Sequence, residues 1–330
     1  MRALVYTGPR GLELRDVARP VAGEGQALVD VAACGICGSD MHAYLGHDER
    51  RPPPLVLGHE AAGVALDGPL AGRRVTVNPL ESCGDCDFCA EGRDNLCPDR
   101  RIISMPPREG AFAEQVVVPA RNLVEVPDGV RLEHAALAEP IACGWHALRL
   151  AGAAMARPLA ATRVVILGGG AIGVGAALVT AASGAREILI AETNRARHAT
   201  LGAAGPFQVY DPSEGEPEAG SADLVVDAYG GAASRAASTR LARAGGVITH
   251  VGLAGGDQGL DMRRATLHEI TVIGTYTYTM ADFRDTARAI FDGRLGDFGW
   301  VETRPIEAGI DAFAALDQGS VAASKIVLTL

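Results

Sequence analysis

Four cysteines fall in one short run, Cys83, Cys86, Cys89 and Cys97, with spacers of two, two and seven residues. Thiolates at that spacing wrap a single ion, and four of them close a tetrahedral zinc site with no position left for chemistry. A looser set stands upstream in Cys37, His59 and Glu60. A soft thiolate, an imidazole and a carboxylate suit a zinc ion that keeps one position open for substrate. Cys34 and Cys37 also match a redox C-x-x-C pair, but no thioredoxin-like βαβ context surrounds them. An iron–sulfur reading of the four-cysteine run has Pro98 after Cys97 in its favour and the seven-residue last spacer against it.

A third constellation is Gly168-Gly169-Gly170-Ala171-Ile172-Gly173, a G-x-G-x-x-G turn between a β-branched run and an alanine-rich stretch. There Gly168 makes the tight turn, Gly170 admits a pyrophosphate to the backbone, and Gly173 allows close helix packing. The first helical turn, Ile172 included, aims free N–H groups and the positive dipole end at the phosphates. Glu192 closes the next strand, where a carboxylate accepts ribose hydroxyls and repels a 2′-phosphate. NAD is therefore expected rather than NADP. Arg195 and Arg197 lie just beyond and would help hold a phosphate if Glu192 turned away.

These residues need a scaffold, and the chain has two grains. Residues 27–32, 63–66, 74–77 and 112–118 are short β-prone runs bounded by Gly, Pro or Asp, with the candidate ligands on the loops between them. From about Ala135 strands alternate with helices. Strands are expected at 163–167, 187–191, 224–228, 246–251 and 270–274, and helices at 171–183, 235–243 and 282–292. That rhythm implies a parallel sheet covered on both faces. The acidic, Gly- and Pro-rich stretch 212–220 reads as a surface loop. The final run 325–330 is β-prone and is expected to return to the first domain.

The 330 residues suggest two domains, and 48% hydrophobic residues are enough to build their cores. A net charge of -10 argues against nucleic acid or an anionic membrane as partner. No charged residue occurs from Val164 to Ala185, a length that would span a bilayer, yet its glycines fit strand, turn and helix better. Seven cysteines without a secretory leader point to reduced thiols and to the cytoplasm.

Taken in order, C-G-I-C-G-S-D-x-H at 34–42, G-H-E at 58–60, the four-cysteine run, Glu139-Pro140 and the glycine turn resemble the zinc-dependent medium-chain dehydrogenases over nearly the whole chain. The resemblance implies an α/β fold: a β-rich GroES-like catalytic domain (1–145), a Rossmann-type nucleotide domain with a doubly wound parallel sheet (146–290), and a C-terminal segment (291–330) returning to the first. It also implies two zinc ions per chain. Cys37, His59 and Glu139 would hold the catalytic zinc, with Glu60 as a fourth or alternating ligand and Asp40 orienting His59. Cys83, Cys86, Cys89 and Cys97 would hold the structural one. Cysteine fills the position of Glu139 in the best-known alcohol dehydrogenases, so glutamate resembles the sorbitol- and galactitol-type branch. Cys143 reads as a pocket or core residue.

The chemistry so implied is reversible oxidation of a polyol or secondary alcohol, with hydride transfer to NAD. Ser39 would take the hydroxyl proton and pass it through the cofactor ribose towards His42. In isolation these two would be a helix-capping serine and a surface histidine, and His47 is given no role. Two alternatives remain: an amino-alcohol, aminocyclitol or threonine-type dehydrogenase on the same scaffold, and a zinc-stabilised binding protein without catalysis. The resemblance further implies a homodimer or homotetramer joined through sheet edges of the nucleotide domain.

Overall fold

The computed structural model describes residues 1–330, and the two grains become two kinds of sheet. The β-branched runs of the first part build an antiparallel sheet in the order Leu123–Glu125, Arg74–Val77, Glu60–Ala65, Gln26–Gly35. Gln115–Pro119 pairs with the first half of Gln26–Gly35. The C-terminal strand Lys325–Thr329 continues this sheet antiparallel to Gln26–Gly35, placing Val327 opposite Gly35 and Leu328 opposite Cys34. Val301–Pro305 then pairs parallel to it. A small sheet of Gly11–Asp16, Arg2–Gly8 and Leu55–Val56 stands beside them.

The second sheet has six strands, all parallel, in the order Gln208–Tyr210, Glu187–Ala191, Arg163–Leu167, Ala222–Asp227, Ala242–His250, Thr271–Gly274. Counted along the chain this is third, second, first, fourth, fifth, sixth, the doubly wound dinucleotide-binding arrangement. Its central strands read as unbroken apolar runs, because helices cover both faces. Val164, Val165, Ile166, Leu224, Val225 and Val226 are all fully buried. The uncharged stretch 164–185 resolves into strand, turn and helix, and no helix is long and apolar enough to cross a membrane.

Several elements differ from expectation, among them the helices Gly38–Tyr44, His198–Ala204, Met262–Leu267 and Gly309–Asp317, and two more bear on packing and the site. The helix placed at 235–243 runs Ala232–Leu241, and the next strand begins at Ala242. The longest helix, Ala138–Ala154, was not foreseen, since Pro140, Gly144 and Gly152 argue against one. Pro140 sits in the first turn, where a missing N–H costs nothing. Gly144 is where this helix meets Ala171–Ala182: a Cβ there would lie 2.7 Å from the Ala176 amide nitrogen. Close helix packing thus outweighs the low helix propensity of glycine. The helix runs unbroken across residue 145, the expected division between the domains, and its first turn carries Glu139.

Candidate active site and metal centres

The strand Gln26–Gly35 delivers Cys37 to the start of the helix Gly38–Tyr44. Asp40, fully buried, ties this corner together. Its Oδ2 accepts the Cys37 N–H at 2.9 Å, and its Oδ1 accepts the Gly58 N–H at 3.2 Å and stands 3.6 Å from His59 Nδ1. Gly58 has φ +91 and packs on the Phe112 ring, a backbone state and a contact that a side chain would spoil. Glu60 opens the next strand opposite Gly35, where a Cβ would fall 2.0 Å from Glu60 Oε2. The ligand atoms of Cys37, His59 and Glu60 come within 4.8 Å of one another.

Glu139 is not within that distance of all three, although the charges of His59 and Glu60 both act on it. Its Oε1 accepts the Tyr278 hydroxyl at 2.6 Å, and burial pushes its carboxyl up to about 6. One turn further on, burial and the Glu139 charge push the Cys143 thiol well above its usual range. Burial also raises the thiol of Cys34, which lies in the core of the antiparallel sheet. Ser39 and His42 share one face of the helix Gly38–Tyr44, both partly exposed, with no hydrogen bond joining them. The His42 ring lies 6.3 Å from that of His47.

The four-cysteine run folds into a lobe without disulfides. Its sulfurs lie 3.5 Å (Cys86–Cys89 and Cys83–Cys97) and 3.9 Å (Cys83–Cys89) apart. A tetrahedron with Zn–S bonds of about 2.3 Å has edges of about 3.8 Å, so the donors fit that ion. The Cys83 N–H points at Cys97 Sγ (3.3 Å) and the Gly84 N–H at Cys89 Sγ (3.4 Å), which favours thiolates.

At the nucleotide turn, a Cβ on Gly173 would lie 1.8 Å from the Gly168 carbonyl oxygen, whereas Gly170 has nothing within 4 Å. The turn is tight on the protein side and open where a pyrophosphate would approach. Glu192, buried at the strand end, accepts the Gly169 N–H at 3.2 Å and the Asn194 N–H at 2.7 Å. Arg197 stands 3.6 Å from its carboxylate. Arg195 instead pairs with Asp211 and Glu214.

Residues 23–128 match the alcohol dehydrogenase GroES-like domain, and residues 171–292 match the zinc-binding dehydrogenase domain. The chain is 32% identical to the L-galactonate-5-dehydrogenase of Escherichia coli K12, over 89% of this chain and 88% of that protein. The chain belongs to the zinc-dependent alcohol and polyol dehydrogenases. A second relative of this dehydrogenase, the sorbitol dehydrogenase of Arabidopsis thaliana, is 30% identical over 82% of this chain and 79% of that one. Among solved structures, a zinc-binding dehydrogenase from Sinorhizobium meliloti 1021 bound to NADP superposes with a TM-score of 0.88 at 28% identity, covering 100% of this chain and 99% of that one. The protein is an oxidoreductase of the zinc- and nicotinamide-dependent kind.

Two residues of this dehydrogenase escaped the motif reading. Lys325 Nζ donates to Glu60 Oε1 at 2.6 Å and to the Ile36 carbonyl at 2.7 Å, while Glu60 Oε2 is buried with no partner. Burial alone would lower the lysine pKa, but Glu60 outweighs it and holds the ammonium charged. A signal existed, because Lys325 is the only lysine among 30 lysine and arginine residues. The other is Tyr278, whose phenol is kept protonated by burial and by the Glu139 charge. The chain offers a second tyrosine two residues away, so sequence gave no reason to prefer it.

Proposed function

We propose that this dehydrogenase reversibly oxidises a secondary hydroxyl of an open-chain polyol or sugar acid to the ketone, with NAD as hydride acceptor. The observation that carries this reading is the convergence of Cys37, His59 and Glu60. Sorbitol and L-galactonate, named in two relatives, are substrates of that chemistry.

Cys37, His59 and Glu139 are the proposed ligands of a catalytic zinc, with Glu60 as a fourth. The orphaned Oε2 of Glu60 fits a site built for a cation. When bound, that ion supplies Lewis-acid polarisation of a hydroxyl oxygen. The chain's own residues do the rest. Asp40 faces His59 Nδ1 and so favours a proton there, leaving Nε2 bare as a ligand. The Cys37 and Gly58 N–H groups hold the Asp40 carboxylate in place for that contact. Ser39 accepts the substrate hydroxyl proton, and His42, one turn along the same helix face, returns it to solvent.

Gly168, Gly170, Ile172 and Gly173 are proposed to cradle the pyrophosphate, and Glu192 to accept the adenosine ribose hydroxyls. Arg197 holds that carboxylate in place. The edge strand Thr271–Gly274 supports assembly into a homodimer or homotetramer by sheet extension.

The test is formation of NADH or NADPH by the zinc-loaded protein on a panel of polyols, sugar acids, simple alcohols and amino alcohols, with a chelator control. Chelator-sensitive turnover of a polyol or sugar acid with NAD is expected. Turnover with NADP alone would overturn the reading of Glu192, and turnover confined to simple or amino alcohols would overturn the substrate class.

A further inference from the structure

Segment 276–282 leaves the edge of the parallel sheet and touches both the helix that carries Glu139 and the four-cysteine lobe. Tyr278, 1% exposed, donates its hydroxyl to Glu139 Oε1 and stacks on Phe283 at 5.7 Å between centroids. Just before it, the Tyr276 carbonyl accepts Asn95 Nδ2 at 2.7 Å, and Arg100 lies 4.8 Å over the Tyr276 ring. Just after it, the Met280 N–H points at both carboxylate oxygens of Asp94, at 3.2 Å. Asp94 and Asn95 sit in the short turn that runs directly into Cys97. Lobe contacts therefore bracket Tyr278 on either side.

Between the two tyrosines, Thr277 has φ +46, an unfavourable state for a β-branched residue. Such strain persists only where the surroundings impose it. Here Tyr276 engages Arg100 of the lobe, while Tyr278 engages Glu139. The hydroxyl of Tyr278 reaches Oε1 of Glu139 and not Oε2.

We propose that Tyr278 is a positioning residue that fixes one oxygen of Glu139 and leaves the other for the catalytic metal, and that the four-cysteine lobe holds Tyr278 in register through Asp94 and Asn95. The lobe then has a task beyond its own stability, since it sets the metal affinity of the other site. This rests on the metal-site reading above, in which Cys37, His59 and Glu139 hold one zinc and the four cysteines the other.

The test is zinc affinity and cobalt spectroscopy on the full-length protein. Metal analysis of wild type and Cys37→Ser separates the two sites first. If wild type does not bind two zinc ions, or Cys37→Ser does not lose one of them, the metal-site reading itself fails, whatever Tyr278 does. Competition with a chromophoric chelator then gives the affinity of the Cys37 site. Partners that orient ligands typically contribute about 10- to 100-fold in metal affinity. Tyr278→Phe, which keeps the ring on Phe283, is expected to weaken that site by such a factor and to shift the visible absorption of Co²⁺ bound there. Lobe zinc should be retained. Asp94→Ala/Asn95→Ala is expected to do the same with the lobe still loaded, and adding Tyr278→Phe to it should produce little further loss.

Wild-type affinity and an unmoved cobalt spectrum in Tyr278→Phe would overturn the positioning role. A response to Tyr278→Phe but not to the lobe variant would overturn the link to the lobe. Circular dichroism at each step identifies any variant that loses its fold, and Tyr278→Met is then read in place of Tyr278→Phe.

Discussion

Lys325 and Glu60 are 3% and 0% exposed and 2.6 Å apart, so each is the main reason the other tolerates burial. Removing one partner of such a pair strands a charge and typically costs about 3–5 kcal/mol. Lys325→Met is expected to lose about that much in denaturant unfolding, and Lys325→Met/Glu60→Gln to regain a good part, because no uncompensated charge remains. Glu192 carries a different prediction. If its carboxylate holds ribose hydroxyls, Glu192→Ala forfeits a charged hydrogen bond of about 1.5–3 kcal/mol. The ratio of kcat/KM for NAD over NADP should then fall by roughly 10- to 150-fold, measured with one substrate. Residues at this scale were legible where partners lie close in sequence. Cysteines two residues apart declare themselves, and so does a glycine turn before a helix. Tyr278 and Lys325 meet their partners 139 and 265 positions away, and no local pattern marks such a meeting.

At the scale of elements, the helix Met280–Phe291 is fastened at its first turn. Thr279 and Asp282 cap it reciprocally, and Asp282 also pairs with His146 at 2.7 Å and Arg149 at 2.6 Å on the helix Ala138–Ala154. Burial works against the Asp282 charge, but His146, Arg149 and Thr279 together hold its carboxyl far below the usual range. A depressed folded pKa gives stability that is present in full above the unfolded value of about 3.9 and is lost as pH falls towards the folded one. Asp282→Asn should therefore lower Tm at neutral pH, by a loss of about 3 kcal/mol. The deficit should narrow below about pH 4, where wild type surrenders the same contribution. Melting curves of both proteins across pH test this, and a deficit that stays constant into acid would refute it. The strands of the parallel sheet were legible because each is a short β-branched run between breakers. Ala138–Ala154 was not, because Gly144 serves a neighbouring helix and lowers the helical signal of its own.

At the scale of the molecule, the candidate site is an assembly of distant pieces. One loop of the antiparallel sheet brings Cys37, the strand start at Glu60 brings two more groups, a helix from the other half brings Glu139, and the last strand brings Lys325. The order of the strands could be anticipated from their alternation with helices, whereas the contacts that join the halves arise only once both sheets exist. The lone lysine has a practical corollary. Apart from the histidines, every other basic side chain is an arginine, which amine-directed acylating reagents leave alone, so these residues carry one side-chain amine, the buried one of Lys325. Brief acylation of the native protein should leave Lys325 unmodified, and acylation of the unfolded protein should modify it, as read by the mass of the peptide that carries it. A native chain whose Lys325 is acylated as fast as that of the unfolded one would show that the Glu60 pair opens freely. Slow uptake would make acylation of Lys325 a clock for opening of the site, with no engineered label required.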